Sequence, residues 1–512
     1  PPGWNLNEIM NYKSVEIASY AYAQLTRFKE SPDRGPTDFD WQPHLAQEVN
    51  QPDDTTVIFK LRPDAKFRPG GELGLNGRKV TSDDVKVAFE LFSEKNANQL
   101  LQNRDIDTIE TPDDETITFK LKRPQAPFIF YMNHHAGFYP IPRELAESDL
   151  NNTTTEGSEN GPFMLKEFKV GQSELWERNP NYFDADKVYV DEVDMIIVPD
   201  PTTQTAGFRE GGIDSTFWWF LPEPDIPSLQ RDLPNAVFAR FPNTVIGGVT
   251  MDMSSEVLGG VGDNPFLDKR VRQAVSRALD RDKMIQARGP SEGSQPRWHS
   301  AMSPLGDWWV DPKSRNAEYG EAGKNFLFDP QSARQMLEAA GYDFDKTWEM
   351  KVNAGFGPFE QAEAEVTQAT LREAGIKVDL NILDNASWYS EVFIGKHRGG
   401  FGYNQILAAI EPDELFFLVY SNVGRSPIPG KAEVLENDAT LKDLIDKQLR
   451  ELNREARLPK VFDVQKYLAD VMYMPPRIAN PKTLGHREWV KNVRLLNSFN
   501  FSMHYNTWLD KA

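Results

Sequence analysis

The sequence predicts an α/β protein built from two or three packed units. From about residue 264 onward, helical patterns alternate with single short strands, the order typical of α/β units. Ahead of that stretch, near-alternating apolar residues bounded by Pro-Asp turns mark strands. A chain of 512 residues is also too long for one hydrophobic core.

In chain order, Tyr12 to Phe28 reads as a helix, with Ser14 as a possible N-cap and Ile17, Ala18, Ala21, Leu25 and Phe28 at helical spacing. Thr55 to Leu61 and Thr116 to Leu121 read as strands, each behind a Pro-Asp-Asp turn. Between them, Thr81-Ser82-Asp83-Asp84 caps a helix over Val85 to Lys95. Pro162 to Asn179 is a strand pair turning at Val170-Gly171-Gln172, and Val188 to Val198 is a further strand. A helix over Thr202 to Glu210 is broken by Gly211-Gly212, ahead of an aromatic strand, Phe217-Trp218-Trp219-Phe220. Ala236 to Phe241 and Val245 to Met251 are extended. Beyond them lie helices over Asp268–Arg281, Pro330–Ala340, Phe359–Glu373 and Leu441–Asp470, with strands at Met350–Val352, Ile376–Ile382 and Phe401–Leu407.

Lys and Arg total 57 against 77 Asp and Glu, a net charge of −20. A field of that sign repels phosphate backbones and anionic lipid heads, which argues against nucleic acid as a partner. The chain has no cysteine, so disulfides, thiolate metal sites and thiol nucleophiles are excluded. It has no run of 18 apolar residues either. Pro1-Pro2-Gly3-Trp4 reads like the trimmed start of a mature chain, from which any export signal or lipid-anchor cysteine would have been removed or left out.

Motifs of catalysis are weak. Gly289-Pro290-Ser291-Glu292-Gly293 spells a nucleophile elbow, but it follows a helical segment where the elbow needs a strand. His134 and His135 are neighbours and point in different directions, so they make a poor metal pair. Gly320 to Asn325 lacks the spacing of a phosphate loop, and Gly355-Phe356-Gly357 lacks the third glycine of a dinucleotide fingerprint. Neither a catalytic constellation, a metal site nor a cofactor is expected. Among 77 acids, spacing alone does not pick a glycosidase pair, so a secreted hydrolase on a similar scaffold stays open as another class of function. The doublets Trp218-Trp219 and Trp308-Trp309 stand out, and neighbours on a strand cannot both enter one core.

Four segments together resemble family 5 of the bacterial extracellular solute-binding proteins, the dipeptide- and oligopeptide-binding type. They are Phe67 to Glu90, containing Arg78-Lys79-Val80-Thr81-Ser82-Asp83-Asp84-Val85; Asn160-Gly161-Pro162-Phe163 with Glu177-Arg178-Asn179-Pro180-Asn181-Tyr182-Phe183; Asn264-Pro265-Phe266 through Ala278-Leu279-Asp280-Arg281; and Phe328-Asp329-Pro330 through Gly341-Tyr342. They occur in the family's order and span most of the chain.

The resemblance implies a two-lobed periplasmic-binding-protein-like fold (type II, cluster C) with a hinge and an extra inserted subdomain. Lobe I would comprise 1–35, 161–246 and 478–512, the inserted subdomain 36–160, and lobe II 247–477. Hinge strands are expected near Val245–Met251 and Met474–Ala479. It further implies a monomer in the periplasm or outside the cell, with a lipid anchor on the native precursor left open. Its partners would be a small-molecule ligand and ABC permease subunits in the membrane. By position in the family, Tyr12, Phe217, Trp218, Trp219, Tyr403 and Asn404 are expected to face the ligand. Family members that bind peptides hold the ligand's ammonium with an aspartate shortly before an acidic-Pro pair. Here the pair is Glu411-Pro412, and Gly399 to Ile410 contains no acid. Either Glu411 or Asp413 takes that role, or the ligand has no free amino end, which keeps an oligosaccharide open beside a peptide.

Overall fold

The computed structural model describes residues 7, 12–29, 31, 33–35, 37–95, 103–134, 137–148, 155–216, 221–242, 245–254, 264–287, 297–421, 427–430, 434–479, 481–494 and 506–511. The chain forms two compact units, one of Pro1–Ala239 with Thr483–Ala512 and one of Arg240–Lys482. The second is thus a continuous insertion into the first. The chain crosses between them within the strands Val237–Pro242 and Pro481–His486.

In the first unit, helix α1 spans Tyr12–Ala21 and stops well short of Phe28. The reason is a tertiary contact that local periodicity does not report. The amides of Asn160 and Gly161 donate to the Ala21 carbonyl at 3.1 and 2.8 Å, and Asn160 Oδ1 accepts from the Ala23 amide at 2.7 Å. A Cβ on Gly161 would lie 2.7 Å from Tyr22 N and 2.8 Å from Tyr20 O, so only glycine can approach the helix end this closely. The chain then enters strand β1 (Thr26–Phe28), paired with β2 (Trp41–Pro43).

An antiparallel sheet follows in the order β3-β4-β6-β5, from β3 (Ala46–Asp53), β4 (Thr56–Leu61), β5 (Ile106–Asp113) and β6 (Thr116–Leu121). Val57, Phe59, Ile117 and Phe119 form its buried face. Helix α2 (Ser82–Lys95) covers that face, with the Phe89 ring edge-on to Phe119 at 5.3 Å. Asp84 accepts from the Thr81 amide at 2.8 Å and pairs with Arg78 at 2.7 Å, which fixes the helix start that the sequence announces.

Glu159 is buried beside α1 and meets Arg68 at 3.4 Å and the Thr155 hydroxyl at 3.2 Å. Burial pushes its carboxyl up to about 7, against the pull of Arg68. The folded state therefore holds a proton that the unfolded state releases near the ordinary glutamate value. The associated stability is present in acid and is lost as the pH rises through about 7. Urea titrations at pH 5 and pH 8 are expected to show the wild type losing about 2–3 kcal/mol relative to Glu159→Gln. Equal pH dependence in the two proteins would remove this assignment.

Strands β7 (Phe163–Lys169), β8 (Ser173–Arg178) and β9 (Glu192–Ile196) form a three-stranded antiparallel sheet whose turn falls where the sequence places it. Helix α3 (Pro201–Glu210) starts at Asp200, which accepts from the Thr203 amide at 2.7 Å, and ends at Gly211 with φ 84°.

The second unit is built on a mixed sheet in the order β10-β13-β11-β12: β10 (Val245–Met251), β11 (Thr347–Asn353), β12 (Lys377–Leu383) and β13 (Gly400–Ala408). β11 runs parallel to β12 and β13, and β10 is antiparallel to β13. The expected helix over Asp268–Arg281 ends early, as α4 (Lys269–Arg277), and a second helix, α5 (Arg281–Ala287), starts at the expected end point. Arg281 makes the break tolerable: its buried guanidinium donates to the carbonyls of Ser276, Phe326 and Pro476 at 3.3, 2.8 and 2.8 Å. Helices α6 (Pro330–Ala339) and α7 (Pro358–Glu373) follow their sequence patterns. After α8 (Pro412–Tyr420), the expected long helix over Leu441–Asp470 is likewise two, α9 (Ala439–Leu449) and α10 (Arg454–Val471), the second capped by Asn453. Among the described residues no helix is long and apolar enough to cross a membrane.

Candidate functional site

The expected ligand-facing positions fall in both units. In the first, Tyr12 opens α1, with its side chain outside the described set, and Phe217, Trp218 and Trp219 lie outside the described residues. The backbone on either side of that aromatic run is firmly held. Thr216 N donates to Gly485 O at 2.8 Å, Gly485 N donates back to Thr216 Oγ1 at 2.9 Å, and Leu221 N donates to Thr483 O at 3.1 Å. Asp214 accepts from Trp489 Nε1 at 2.6 Å and pairs with Lys511 at 2.9 Å. Residues 214–216 and Leu221, on either side of that run, are thus tied to residues 483–489 and to Lys511.

In the same unit, a cavity of about 800 Å³ is walled by α1, β9 and the segment Gly212–Thr216. Leu175, Val193, Met195, Ile197 and Ile213 line it together with the acids Glu16, Glu192, Asp194 and Asp214. Tyr20 is its buried aromatic, 5.3 Å from both Phe163 and Trp176, and its hydroxyl has no partner among the described residues. Burial, with Glu16 and Glu174 nearby, pushes the phenol well up, so the hydroxyl stays a neutral donor. A cavity of this size with mixed apolar and acidic walls has room for a small molecule.

In the second unit, Tyr403 and Asn404 lie on β13 and are fully buried. The guanidinium of Arg477 sits 3.6 Å from the Tyr403 ring centroid. The same group donates to Glu363 at 2.9 Å, Glu360 at 3.0 Å and the Asn404 carbonyl at 2.9 Å, and Asn404 Nδ2 donates to Val392 O at 3.0 Å. Burial works against the charge on Arg477, but Glu360, Tyr403 and Glu363 hold it protonated. Gly247 and Gly248 of β10 leave room: a Cβ on Gly247 would meet Arg477 Nε at 3.1 Å, and one on Gly248 would meet Met474 Cγ at 2.5 Å.

Glu411 and Asp413 are occupied inside the second unit. Glu411 caps α8 by accepting from the amides of Asp413 and Glu414, and pairs with Arg457 at 2.6 Å. Asp413 accepts from Gln448 Nε2 at 3.0 Å. Their exposures are 4% and 0%, so neither carboxylate is offered outward. Burial raises the Glu411 carboxyl while Arg457 opposes that shift.

The sequence reading missed Tyr20 and the Arg477-Glu360-Glu363 triad. A signal existed for the triad: Arg477 is the lone charge in the apolar run Met472 to Ala479, and Glu360 and Glu363 sit on the face of α7 that carries Ala364, Thr367 and Leu371.

The family model for bacterial extracellular solute-binding proteins, family 5, matches residues 40–424. The chain belongs to that family. As a family 5 solute-binding protein it has curated relatives such as the oligopeptide-binding protein AppA of Bacillus subtilis, 27% identical over 398 residues that cover 72% of this chain and 65% of AppA. The structure is similar to that of DppA, an ABC transporter-associated periplasmic binding protein from Helicobacter pylori in complex with the peptide STSA. That match has a TM-score of 0.79 and 18% identity, covering 99% and 96% of the two chains. It is equally similar to a dipeptide-binding protein from Pseudoalteromonas sp. SM9913 in complex with Met-Leu, with a TM-score of 0.79 and 19% identity, covering 100% and 98%. The fold is that of the periplasmic binding proteins, and membership of an extracellular family places this solute-binding protein outside the cytoplasm.

Proposed function

We propose that this protein is the solute-capturing component of a bacterial ABC importer and that its cargo is a peptide. The observation that carries this reading is the family match across residues 40–424. The AppA name and the peptide complexes of DppA and the dipeptide-binding protein support the choice of peptide. In this reading the chain acts as a monomer, holds its cargo by noncovalent contact without converting it, and passes it to permease subunits in the membrane. A lipid anchor on the precursor would keep it near them.

The contacts we assign to the ligand come from Tyr12, Phe217, Trp218 and Trp219 in the first unit; Tyr403 and Asn404 in the second are fully buried, so their strand would back the site without offering these side chains to the cargo. Aromatic side chains supply large contact area at low entropic cost. Because Glu411 and Asp413 have internal partners, a peptide ammonium would be met by another carboxylate or by backbone carbonyls.

Mass spectrometry of small molecules released on denaturing freshly purified protein is expected to give peptide masses. Hexose-spaced masses would replace peptide by oligosaccharide. With the cargo in hand, Trp218→Ala or Trp219→Ala, whichever side chain faces the ligand, should weaken calorimetric affinity by about 1–3 kcal/mol, roughly 5- to 150-fold. Wild-type affinity in both variants would withdraw the aromatic run from the site.

A further inference from the structure

We propose that the second unit carries an oxyanion-binding site of its own, in a cavity beside Trp309. The cavity measures about 500 Å³ and lies against the strand Arg297–Trp298, the turn around Gly306 and the segment Asp311–Arg315. None of these residues is among those assigned to the solute.

The polar groups around this cavity balance, with two exceptions. Lys313 pairs with Asp282 at 2.7 Å, and Trp298 Nε1 donates to the same carboxylate at 2.9 Å. Arg315 pairs with Glu318 at 2.6 Å, and Asp307 with Arg454 at 3.2 Å. Asp311 accepts from the Lys313 amide and from the Ser314 hydroxyl, both at 2.8 Å. Among the described residues that leaves Arg297 without a carboxylate, and the indole N–H of Trp309 without any acceptor. Trp309 is only 6% exposed, so its N–H is not simply turned to bulk water.

Both unmatched groups are donors, and an indole N–H can do nothing but donate. They are also held together, because the Arg297 guanidinium lies 5.3 Å from the Trp309 ring centroid. Their mounting is preformed. Arg297 and Trp298 pair with Ala479 and Ile478, and Gln465 clamps the other side through Trp308 O at 2.8 Å and Val310 N at 3.4 Å. The carboxylates that line the cavity, Asp307 and Asp311, are engaged with Arg454, the Lys313 amide and the Ser314 hydroxyl, so neither meets these two donors; a guanidinium fork matches the two oxygens of a carboxylate or phosphate. An anion bridging Arg297 and the Trp309 N–H completes the set.

The test uses the full chain labelled with ¹⁵N, with Trp309→Phe identifying the Trp309 indole resonance. Inorganic phosphate and citrate are titrated separately at ionic strength held constant with chloride. A saturable shift of that resonance is expected with at least one probe, and the probe that acts tells phosphate from carboxylate. Arg297→Gln, an exposed change that preserves the fold, is expected to raise the Kd at least about tenfold while leaving affinity for the peptide cargo unchanged. A Trp309 resonance that moves with neither probe, or an equal Kd in Arg297→Gln, would overturn the proposal. Neither result bears on solute capture, which is read from the cargo measurement alone.

Discussion

Replacing Arg477 by methionine is expected to cost the second unit about 3–5 kcal/mol, because two buried carboxylates lose their common counter-charge. Arg477, Glu360 and Glu363 are all at most 2% exposed at the side chain, and the ion pairs measure 3.0 and 2.9 Å. The pairs themselves add little net stability, since desolvation of three charges offsets most of their attraction. The cost arises when one partner goes and the others remain in a dry interior. Methionine fills most of the volume of the arginine stem, so a cavity contributes little. Adding Glu360→Gln and Glu363→Gln to Arg477→Met should recover much of the loss. Urea unfolding of the three proteins reads both effects. A loss below about 1 kcal/mol in Arg477→Met would mean that water already reaches the triad. The same variant strips the guanidinium from the Tyr403 ring and its bond from the Asn404 carbonyl. Peptide affinity should therefore fall as well if that strand forms a wall of the site.

The second large effect is expected for Arg457→Met. Arg457 is almost completely buried, meets Glu411 at 2.6 Å and donates to Gln448 Oε1 at 2.7 Å. Without it, Glu411 is a charge buried at a helix start with only two amides to hold it, and about 3 kcal/mol or more of stability should go. The pH dependence has a definite sign. The Glu411 carboxyl already lies above its ordinary value through burial, and removing Arg457 raises it further. A group raised in the folded state contributes stability in acid and loses it as the pH rises. The deficit of Arg457→Met should thus be smallest near pH 5 and largest near pH 8. Glu411→Gln separates structure from recognition. It should change stability and leave cargo affinity at the wild-type value, whereas a loss of affinity with retained stability would return Glu411 to the ligand.

The parts of this protein that sequence reveals are those where one short segment decides the outcome. Asp84 caps α2 because the residues before the helix supply both donor and acceptor, and the turn at Gly171 joins two strands that alternate on either side of it. The misjudged ends were set from far away. Ala21 ends α1 because Asn160 and Gly161, some 140 positions on, claim its carbonyl. The apparent continuity of Asp268–Arg281 concealed a side chain, Arg281, that serves carbonyls from three other places. The family blocks were legible because they combine such local signals in a fixed order. Burial of acids was not: Glu411 and Asp413 look like any exposed helix start, and only packing against Arg457 and Gln448 turns them inward.

The inserted arrangement of the second unit also orders events during synthesis. Residues 240–482 form one uninterrupted stretch, so that unit has its whole chain as soon as residue 482 has been made. The first unit must wait for residues that follow. Its segment around the aromatic run is held by Thr483, Gly485 and Trp489, so strand Val237–Pro242 is left behind long before these partners exist. Any delivery that starts from the N-terminus, at the ribosome or across a membrane, keeps that order, and synthesis at about 5–20 residues per second alone spreads the interval over roughly 12–50 s. For that time the half-made first unit presents unfinished edges, a window in which a holding chaperone has something to bind, whereas the later-made unit can fold first.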